Sequence, residues 1–343
     1  MKISEYVSLG HPDKVADYIS EYILDRLIEQ DPKTRYALEV QIKDNFVTLG
    51  GEITTNAKKI KYTRWVKEAI ASIGYTHEYA KLWGKGNTLD ATKVKVKKHI
   101  SKQSNDISQG VNNDGWGDQG IMFGMAVKNA ETCYLPEDFF IAKDLCQELY
   151  NCAKNTNLWG LDIKTQIVLN NRGYLRKVIV AAPCKEYKLE ELHDFVKEYC
   201  GRLSCVGEKT PEIIINGTGA YIKHASMGDC GTTGRKLAVD FYGGNCNVGG
   251  GSPWTKDGSK ADLTLNLYAR QLALNYVLTH NADYAKCGIG CCIGKQEIDI
   301  TIWDKNNKVL KSYTETMPVS KLVKRFGLHM PVYASLCRNG LFG

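Results

Sequence analysis

Glycine and charged residues are concentrated between Asn216 and Asp262. This stretch holds eleven of the 32 glycines in the chain, far more than its share of the length. Glycine lets a backbone approach a ligand closely, and cations interleaved with carboxylates suit a polyanion bound together with its metal ion. The stretch therefore predicts a phosphate-binding active site, whose charged candidates are Asp229, Arg235, Lys236, Lys256, Asp257, Lys260 and Asp262.

A second candidate is the run Gly10-His11-Pro12-Asp13-Lys14, which opens a predicted helix. Free N–H groups and partial positive charge at a helix N-terminus favour an anion. His11 and Lys14 would add donors to that anion, and Asp13 would hold a hard cation that the anion also ligates. These residues alone leave an alternative open, in which His11 merely caps the helix and Asp13 complements its dipole.

Two predicted hairpins carry further polar candidates. Glu39 lies on the polar face of one strand, and Glu52 follows paired glycines on the partner strand, where a ligand can come close. Asp162 and Lys164 begin the second hairpin. A lone carboxylate on a strand is usually just solvated, so these residues become candidates mainly because of the glycines and charges around them.

The segment from Gln103 to Gly117 has no regular pattern and is rich in Asn, Gly and Ser. Lids over active sites have this composition, so we predict a mobile active-site loop at residues 104–117, with Gln103 and Asp118 at its ends. Trp116 is a large apolar residue near the end of this loop, and its burial would anchor a closed form. Ligand binding is expected to order the loop.

The sequence of helix, hairpin and helix occurs three times along the chain. The third hairpin pairs residues 297–303 with residues 309–315. A repeat of this length is too long for a solenoid and predicts an α+β fold of three similar domains, each a β-sheet packed with helices and related by a pseudo-threefold internal repeat. The predicted turns are Asp44-Asn45, Asn171-Arg172-Gly173 and Asp304-Lys305-Asn306-Asn307. The predicted segments are residues 1–103, the loop 104–117, 118–222 and 223–343.

The composition is that of an ordinary globular protein, with 43% hydrophobic and 24% charged residues. No apolar run is long enough to cross a bilayer, the N-terminus does not resemble a signal peptide, and twelve cysteines without a Cys-x-x-Cys pair indicate reduced thiols. We therefore expect a cytoplasmic protein that binds no membrane. The net charge of +7 fits nucleic acid or a small anion, but the cations are mixed with carboxylates, which argues against nucleic acid.

Standard nucleotide-binding fingerprints are missing from the sequence. There is no G-x-x-x-x-G-K-[ST], and the nearest approach to G-x-G-x-x-G, at Gly288, Gly290 and Gly294, is one residue out of register. P-loop and dinucleotide-binding folds are therefore disfavoured.

Seven ordered runs carry a resemblance to one family. They are SLGHPDKVADYISEYILDRLIEQDP, GGEITT, KQSNDISQGV, GDQGIMFGMA, MGDCGTTGRK, YGGNCNVGGG and KDGSKAD. Together they resemble the S-adenosylmethionine synthetases, or methionine adenosyltransferases, over most of the chain. That family also has three similar α+β domains, in agreement with the repeat.

The resemblance implies an enzyme that joins L-methionine to ATP. Sulfur attack on C5′ would give S-adenosylmethionine and release triphosphate, which would then be hydrolysed to diphosphate and phosphate. The implied cofactors are two Mg²⁺ ions per site and K⁺. The implied assembly is a homodimer with shared active sites, or a tetramer, in which Glu52 and Asp118 meet His11 and Lys256 of the partner subunit.

The resemblance also assigns roles to individual residues. The implied catalytic groups are His11, Lys256, Arg235 and Lys236. The implied ATP contacts are His11, Asp162, Lys164, Tyr221, Asp229, Arg235, Lys236, Ser252 and Lys256. The implied methionine contacts are Glu52, Gln103, Asp118, Asp229, Lys260 and Ile293. The implied metal ligands are Asp13 and Asp262 for Mg²⁺ and Glu39 for K⁺.

The chain departs from the family pattern at a few positions. Gly217 stands where the family usually has proline, Ala220 where arginine is common, and Tyr221 where phenylalanine usually stacks on adenine. A catalytically silent regulatory relative is the main alternative, and it would be expected to have lost a charged site residue. The charged positions that match the family motifs are all retained, which favours an active enzyme.

Overall fold

The computed structural model describes residues 1–102 and 114–342. Within these ranges it confirms the α+β class, with three four-stranded sheets and helices packed against them. The strands are β1 (Lys2–Val7), β2 (Arg35–Lys43), β3 (Phe46–Thr54), β4 (Lys95–Ser101), β5 (Gly120–Val127), β6 (Lys164–Leu169), β7 (Leu175–Ala181), β8 (Glu212–Ile215), β9 (Gly231–Thr232), β10 (Tyr284–Cys291), β11 (Glu297–Trp303) and β12 (Val309–Thr316). The helices are α1 (Pro12–Ile28), α2 (Tyr62–Ile73), α3 (His77–Trp83), α4 (Glu137–Thr156), α5 (Leu189–Gly201), α6 (Leu237–Asp240), α7 (Ala261–His280), α8 (Val319–Arg325) and α9 (Tyr333–Asn339).

The three sheets are similar in order but not identical. The first sheet has the order β4-β3-β2-β9, the second β1-β6-β7-β8, and the third β5-β10-β11-β12. In the first two sheets the strand that follows the second helix, β4 or β8, lies parallel to its neighbour. In the third sheet β12 returns antiparallel to β11 through a short turn. The third unit therefore completes its sheet without a helical crossover.

One strand in each sheet comes from a different repeat. β1 precedes α1, which packs on the first sheet, yet β1 pairs with β6 in the second sheet. β5 precedes α4, which packs on the second sheet, yet β5 pairs with β10 in the third. β9 precedes α7, which packs on the third sheet, yet β9 pairs with β2 in the first. The exchange is cyclic, so each sheet crosses the segment boundaries expected from the sequence, and those boundaries stay a prediction.

The hairpin predicted for the third unit lies one strand further along the chain than the hairpin that corresponds to those of the first two units. The strands at 297–303 and 309–316 exist, but the counterpart of the β2–β3 and β6–β7 hairpins is β10–β11. Glycines at 288 and 290 lower the strand propensity of β10, so its sequence does not look like a strand. Gly288 is required by packing, since a Cβ atom there would lie 2.8 Å from the ring of Trp303.

Helix α1 is buried on all sides. Fifteen of its 17 residues are buried, including the charged Asp13, Lys14, Asp17 and Glu21, because α2, α9 and β2 surround it. Pro12 occupies the first turn, as its fixed φ and missing N–H favour. The helix therefore lies at the centre of the first unit and presents charged groups to the backbone of other segments.

No helix in the described ranges has both the length and the apolar character of a membrane span.

The end of the predicted mobile loop is packed. Gln103 and residues up to 113 lie outside the described residues, but residues 114–117 are described. Trp116 is fully buried against the third unit. Its backbone N–H donates to the backbone carbonyl of Lys295 at 2.9 Å, and its backbone carbonyl accepts the N–H of Gly294 at 2.8 Å. The burial of Trp116 agrees with its predicted role as an anchor, and the ordering of the loop by ligand binding stays a prediction.

Candidate active site

His11 lies at the N-cap of α1 and is buried. Its Nδ1 accepts the backbone N–H of Asp13 at 3.1 Å, so in the neutral ring the proton sits on Nε2, which is a donor. Burial, and then the charges of Lys236 and Lys164, lower the pKa of His11 to about 2. Lys14 and Arg235 act in the same direction. His11 is therefore a neutral hydrogen-bond donor that feels the charge of four cations.

Asp13 connects the start of α1 to the loop after β9. Its Oδ1 accepts the N–H of Thr232 at 2.9 Å, and its Oδ2 pairs with Nζ of Lys236. Both residues of the pair come from segments that the sequence analysis assigned to a phosphate site. The structure therefore brings the His11–Lys14 run and the 229–236 run together, as both lie at the β9 edge of the first sheet.

Asp162 and Lys164 form the next part of this group. Oδ2 of Asp162 accepts the N–H of Ala225 at 3.0 Å. Burial raises the pKa of Asp162 to about 6, and the nearby carboxylate of Asp229 acts in the same direction. Lys164 and Asp229 are exposed. Tyr221 is half-buried, and its pKa is raised first by burial and then by the nearby carboxylate of Asp162. We call His11, Asp13, Asp162, Lys164, Tyr221, Asp229, Arg235 and Lys236 the first cluster.

Lys256 and Asp262 form an ion pair in a second group. Lys256 pairs with Ala37 at the edge of β2, and Ala37 pairs on its other side with Glu52 of β3. Residues directly opposite in a ladder point to the same face, so Glu52 and Lys256 share one face with their Cα atoms about 10 Å apart. The prediction that Glu52 reaches Lys256 of a partner subunit is therefore corrected, since both belong to one group within a single chain.

Asp118 and Ile293 lie at the nearby end of the third sheet. The thiol of Cys291 donates to the carbonyl of Asp118 at 3.5 Å. Burial, and then the charges of Asp118 and Asp262, raise the pKa of Cys291 to about 11. Ile293 follows in the exposed turn after β10. We call Glu52, Asp118, Lys256, Lys260, Asp262 and Ile293 the second cluster.

Ser252 and Lys260 complete the glycine-rich loops. Oγ of Ser252 accepts the N–H of Trp254 at 3.2 Å, and a Cβ on Gly234 would lie 3.2 Å from Ser252, so the loops that carry Lys236 and Lys256 touch. Lys260 is half-buried at the start of α7. Gln103 lies outside the described residues, and its role stays a prediction.

Glu39 binds both loops at once. Its Oε1 accepts the hydroxyl of Thr255 at 3.1 Å, and its Oε2 accepts the hydroxyl of Thr233. Carboxylate and hydroxyl oxygens are the hard donors that suit an alkali cation. The sequence analysis did not include either threonine, because hydroxyl residues next to Gly and Lys carry no distinctive spacing.

Lys14 does not belong to the anion site. It is buried and pairs with Asp17 at 3.0 Å and with Asp240, while its ammonium lies 4.7 Å from the ring centroid of Trp254. The side chain therefore points into the core, and two carboxylates neutralise it there. The prediction that Lys14 donates to a bound anion is wrong, because its ammonium group is already paired with Asp17 and Asp240 inside the core.

Among the described residues, no three His, Cys, Asp or Glu side chains converge on a point where they could hold a metal. Asp13 and Asp262 each stand as single carboxylates paired with a lysine. Mg²⁺ is commonly bound by one or two carboxylates together with substrate phosphates and water. The two residues therefore fit a Mg²⁺ ion that arrives with a polyphosphate, and they do not form a closed metal site.

Comparison with known proteins gives a consistent result along the chain. The family models of S-adenosylmethionine synthetase match residues 1–105 (N-terminal domain), 113–221 (central domain) and 224–343 (C-terminal domain). An S-adenosylmethionine synthase of Brachyspira hyodysenteriae is 31% identical, covering 99% of this chain and 92% of that protein. A solved structure, an unusual S-adenosylmethionine synthetase from Campylobacter jejuni, is similar with a TM-score of 0.88 and 31% identity, over 99% of this chain and 93% of that chain.

Proposed function

The chain belongs to the S-adenosylmethionine synthetase family and is a methionine adenosyltransferase, and from this we propose that the first and second clusters together bind ATP and L-methionine. The sulfur of methionine attacks C5′ of ATP and expels triphosphate, which is then hydrolysed to diphosphate and phosphate. The observation that carries this proposal is the grouping of Lys164, Arg235 and Lys236 around the neutral donor His11.

Stabilisation of the leaving group explains why these residue types are needed. A thioether is a neutral nucleophile that needs no general base, so the barrier lies in the negative charge that builds up on the departing triphosphate. We expect Nε2–H of His11 and the ammonium groups of Lys236 and Lys256 to meet that charge when the nucleotide is bound. Removal of one such donor is expected to cost about a hundredfold or more in rate.

The ion pairs at Asp13 and Asp262 support a partner exchange on binding. In the structure Lys236 pairs with Asp13, and Lys256 pairs with Asp262. We infer that each lysine turns to a phosphate oxygen when the nucleotide binds, which frees its carboxylate for Mg²⁺. Bound Mg²⁺ would supply further neutralisation of charge on the polyphosphate. The pairs keep the site electrically balanced before substrate arrives.

For K⁺ we propose a site at Glu39. The hydroxyl groups of Thr233 and Thr255 each donate a hydrogen bond to the carboxylate of Glu39. A cation held there would connect the loop before Lys236 with the loop before Lys256. Its role would be to fix the spacing between the two loops.

The two clusters are proposed to come from different chains of a homodimer. Glu52 is exposed on a face of the first sheet that no helix of the described ranges covers, and the same face includes Phe46, whose exposed fraction is 58%. A second copy seated on this face would cover Phe46 and bring one chain's second cluster to the first cluster of the other. We propose the dimer as the smallest active unit, and a tetramer would be built from two such dimers.

A cytoplasmic location also belongs to the proposal. All twelve cysteines are free thiols. Burial raises the pKa of several of them, such as Cys291 to about 11 and Cys246 to about 12, so these thiols stay protonated and poorly reactive. Such cysteines suit a reducing compartment.

The proposed reaction is tested by its products. The purified chain is incubated with ATP, methionine and Mg²⁺, and the mixture is analysed by mass spectrometry and phosphate assay. S-Adenosylmethionine, diphosphate and phosphate should appear in equal amounts, because the triphosphate is hydrolysed before release. A reaction without methionine serves as the control. Formation of ADP, or of S-adenosylmethionine with intact triphosphate, would contradict the proposed sequence of steps.

A further inference from the structure

Four carboxyl groups lie on one face of α1 at i, i+4 spacing. All four are buried, and each accepts at least one backbone N–H from the C-terminal third of the chain. The pairs are Asp13 with Thr232 at 2.9 Å, Asp17 with Gly234 at 2.9 Å, Glu21 with Thr255 at 2.6 Å, and Asp25 with Tyr333 and Ala334, both at 2.9 Å. Helix α1 therefore fixes the position of several segments that are distant in sequence.

The Glu21 contact holds the backbone in an unfavourable conformation. Thr255 has φ of 75°, a left-handed value that a β-branched residue rarely adopts. Strained residues of this kind persist only when their surroundings fix them, and they cluster at functional sites. Thr255 is held at three points: its N–H by Glu21, its hydroxyl by Glu39 and its carbonyl by the N–H of Leu38 at 3.0 Å.

Thr255 immediately precedes Lys256, so its conformation sets the direction in which Lys256 leaves the edge of β2. Relaxation of Thr255 to an ordinary φ would rotate the following peptide and move the lysine ammonium away from its present place. Misplacement of a reacting group by about 1 Å can cost about a hundredfold in rate. The buried contact to Thr255 is therefore relevant to the reaction although Glu21 lies inside the core.

We propose that Glu21 is a positioning residue, which holds Thr255 in its left-handed conformation and thereby orients Lys256 for the reaction. The inference rests on the role of Lys256 given under Proposed function. Glu21 has no other polar contact among the described residues, since its Oε2 is buried without a hydrogen-bond partner. A purely stabilising position of this size would be better filled by an apolar side chain.

The protonation state of Glu21 gives a conservative replacement. Burial raises the pKa of its carboxyl well above the usual range, which favours the neutral form of the group. Glutamine has nearly the same shape and keeps an oxygen that accepts the N–H of Thr255. Methionine has a similar length but offers that N–H no comparable acceptor. Glu21→Gln and Glu21→Met therefore separate the hydrogen bond from the volume of the side chain.

The test compares kcat, KM and thermal unfolding of the full chain. Glu21→Met should lower kcat by at least about 30-fold with KM for ATP changed less than about threefold, because orientation rather than ground-state binding is lost. Glu21→Gln should stay within about threefold of the wild type in kcat. If Glu21→Met does not fold, Glu21→Ser replaces it, since the small cavity admits water to the N–H and kcat should still fall at least about tenfold.

Asp25 supplies a matched control on the same face of the same helix. It also accepts buried backbone N–H groups, but they belong to α9, which carries no residue of either cluster and reaches the loop after Lys256 through the Tyr333 hydroxyl, which accepts the N–H of Gly258 at 2.8 Å. Asp25→Leu should lower the melting temperature as Glu21→Met does, while kcat of the folded protein stays within about twofold of the wild type. If Asp25→Leu reduces kcat as much as Glu21→Met, the effect is general loosening and the inference is wrong.

A double variant tests whether Glu21 acts through Lys256. Lys256→Met alone should be at least about 100-fold slower than wild type. Glu21→Met combined with Lys256→Met should be no slower than Lys256→Met alone, because residues that act as one unit are not additive. Multiplied losses, or a wild-type kcat in Glu21→Met, would overturn the positioning role. A wild-type kcat in Lys256→Met would instead refute the role assigned to Lys256 under Proposed function.

Discussion

The protonation of a single imidazole illustrates how the site handles charge. His11 is buried next to cations, and the same surroundings that suit a polyanion prevent the ring from taking a proton. A charged imidazole would add electrostatic attraction but would lose the hydrogen bond that Nδ1 accepts from Asp13. The neutral ring keeps its orientation and still donates through Nε2. His11 therefore contributes an oriented hydrogen-bond donor rather than a positive charge.

Burial of a neutral His11 makes stability depend on pH. Its pKa is lowered from 6.5 to about 2 in the folded chain, so below pH 6.5 the unfolded chain binds more protons and stability falls as pH falls. The shifted pKa of His11 alone should lower the free energy of unfolding by about 2 kcal/mol between about pH 7.5 and about pH 5. His11→Asn keeps an N-cap acceptor but cannot titrate.

Urea unfolding of the wild type and of His11→Asn at several pH values measures this difference. The wild type should lose about 2 kcal/mol more than the variant on acidification, since the other titrating groups are common to both proteins. Equal losses in the two proteins would mean that His11 becomes protonated in the folded state.

At the scale of elements, local patterns predicted the helices and hairpins well. The apolar repeat of Val15, Ile19 and Ile23 located α1, and alternation located β2, β3, β6 and β7. The exchanged strands β1, β5 and β9 were not predicted as part of any sheet. Their partners lie in other repeats, and no local periodicity reports a pairing over such a distance. β9 is only two residues long and has no pattern of its own.

The candidate site shows the same division. Glycine and charge density pointed to loops that the structure brings close to His11 and Glu52, and family motifs supplied the individual residues. The burial of Asp17 and Glu21 could not be predicted, because the segments that cover them lie at Gly234 and Thr255. Lys14 was misassigned for a related reason, as its partner Asp240 comes from α6. Residues whose neighbours are remote in sequence need the fold before their role can be stated.

The segment at Trp116 joins the loop to the third unit. Trp116 has no exposed surface, and its Nε1 has no hydrogen-bond partner among the described residues. Trp116→Ala should cost about 3–5 kcal/mol of unfolding free energy through the cavity that it leaves. Trp116→Phe should cost less than about 2 kcal/mol, because no hydrogen bond is lost and part of the ring volume remains.

Chemical denaturation of both variants, read by circular dichroism, checks this order. A cost below about 1 kcal/mol for Trp116→Ala would show that the indole does not belong to the core. In that case the segment before β5 would open without disturbing the third sheet.

At the scale of the whole molecule, the proposed division of the site between two chains predicts how variants combine. Glu52 and Lys256 belong to the second cluster, and His11 belongs to the first. In a two-fold dimer each active site would combine the first cluster of one chain with the second cluster of the other. Variants in different clusters should then complement each other, whereas variants in the same cluster should not.

Co-expression of differently tagged chains tests this arrangement. A heterodimer of His11→Ala with Glu52→Ala has one intact site and one doubly altered site, so it should show about half the activity of the wild-type dimer. The matched pair, Glu52→Ala with Lys256→Ala, alters both sites and should stay inactive. Activity in the second pair but not in the first would mean that the clusters are divided between the chains in another way.

The cyclic exchange of strands also determines when each sheet can form while the chain is being translated. β1 is synthesised first, but it cannot pair until β6 has been made. In the same way, one edge of β2 stays unpaired until β9 is made, and β5 stays unpaired until β10 is made. The second sheet is begun at Lys2 and completed at Ile215, and the first sheet is begun at Arg35 and completed at Thr232, so both stay incomplete while the central part of the chain is synthesised. Unpaired edges stay exposed during this interval and can pair with other growing chains. Translation speed between β3 and β9 should therefore influence how much of the protein reaches its native state.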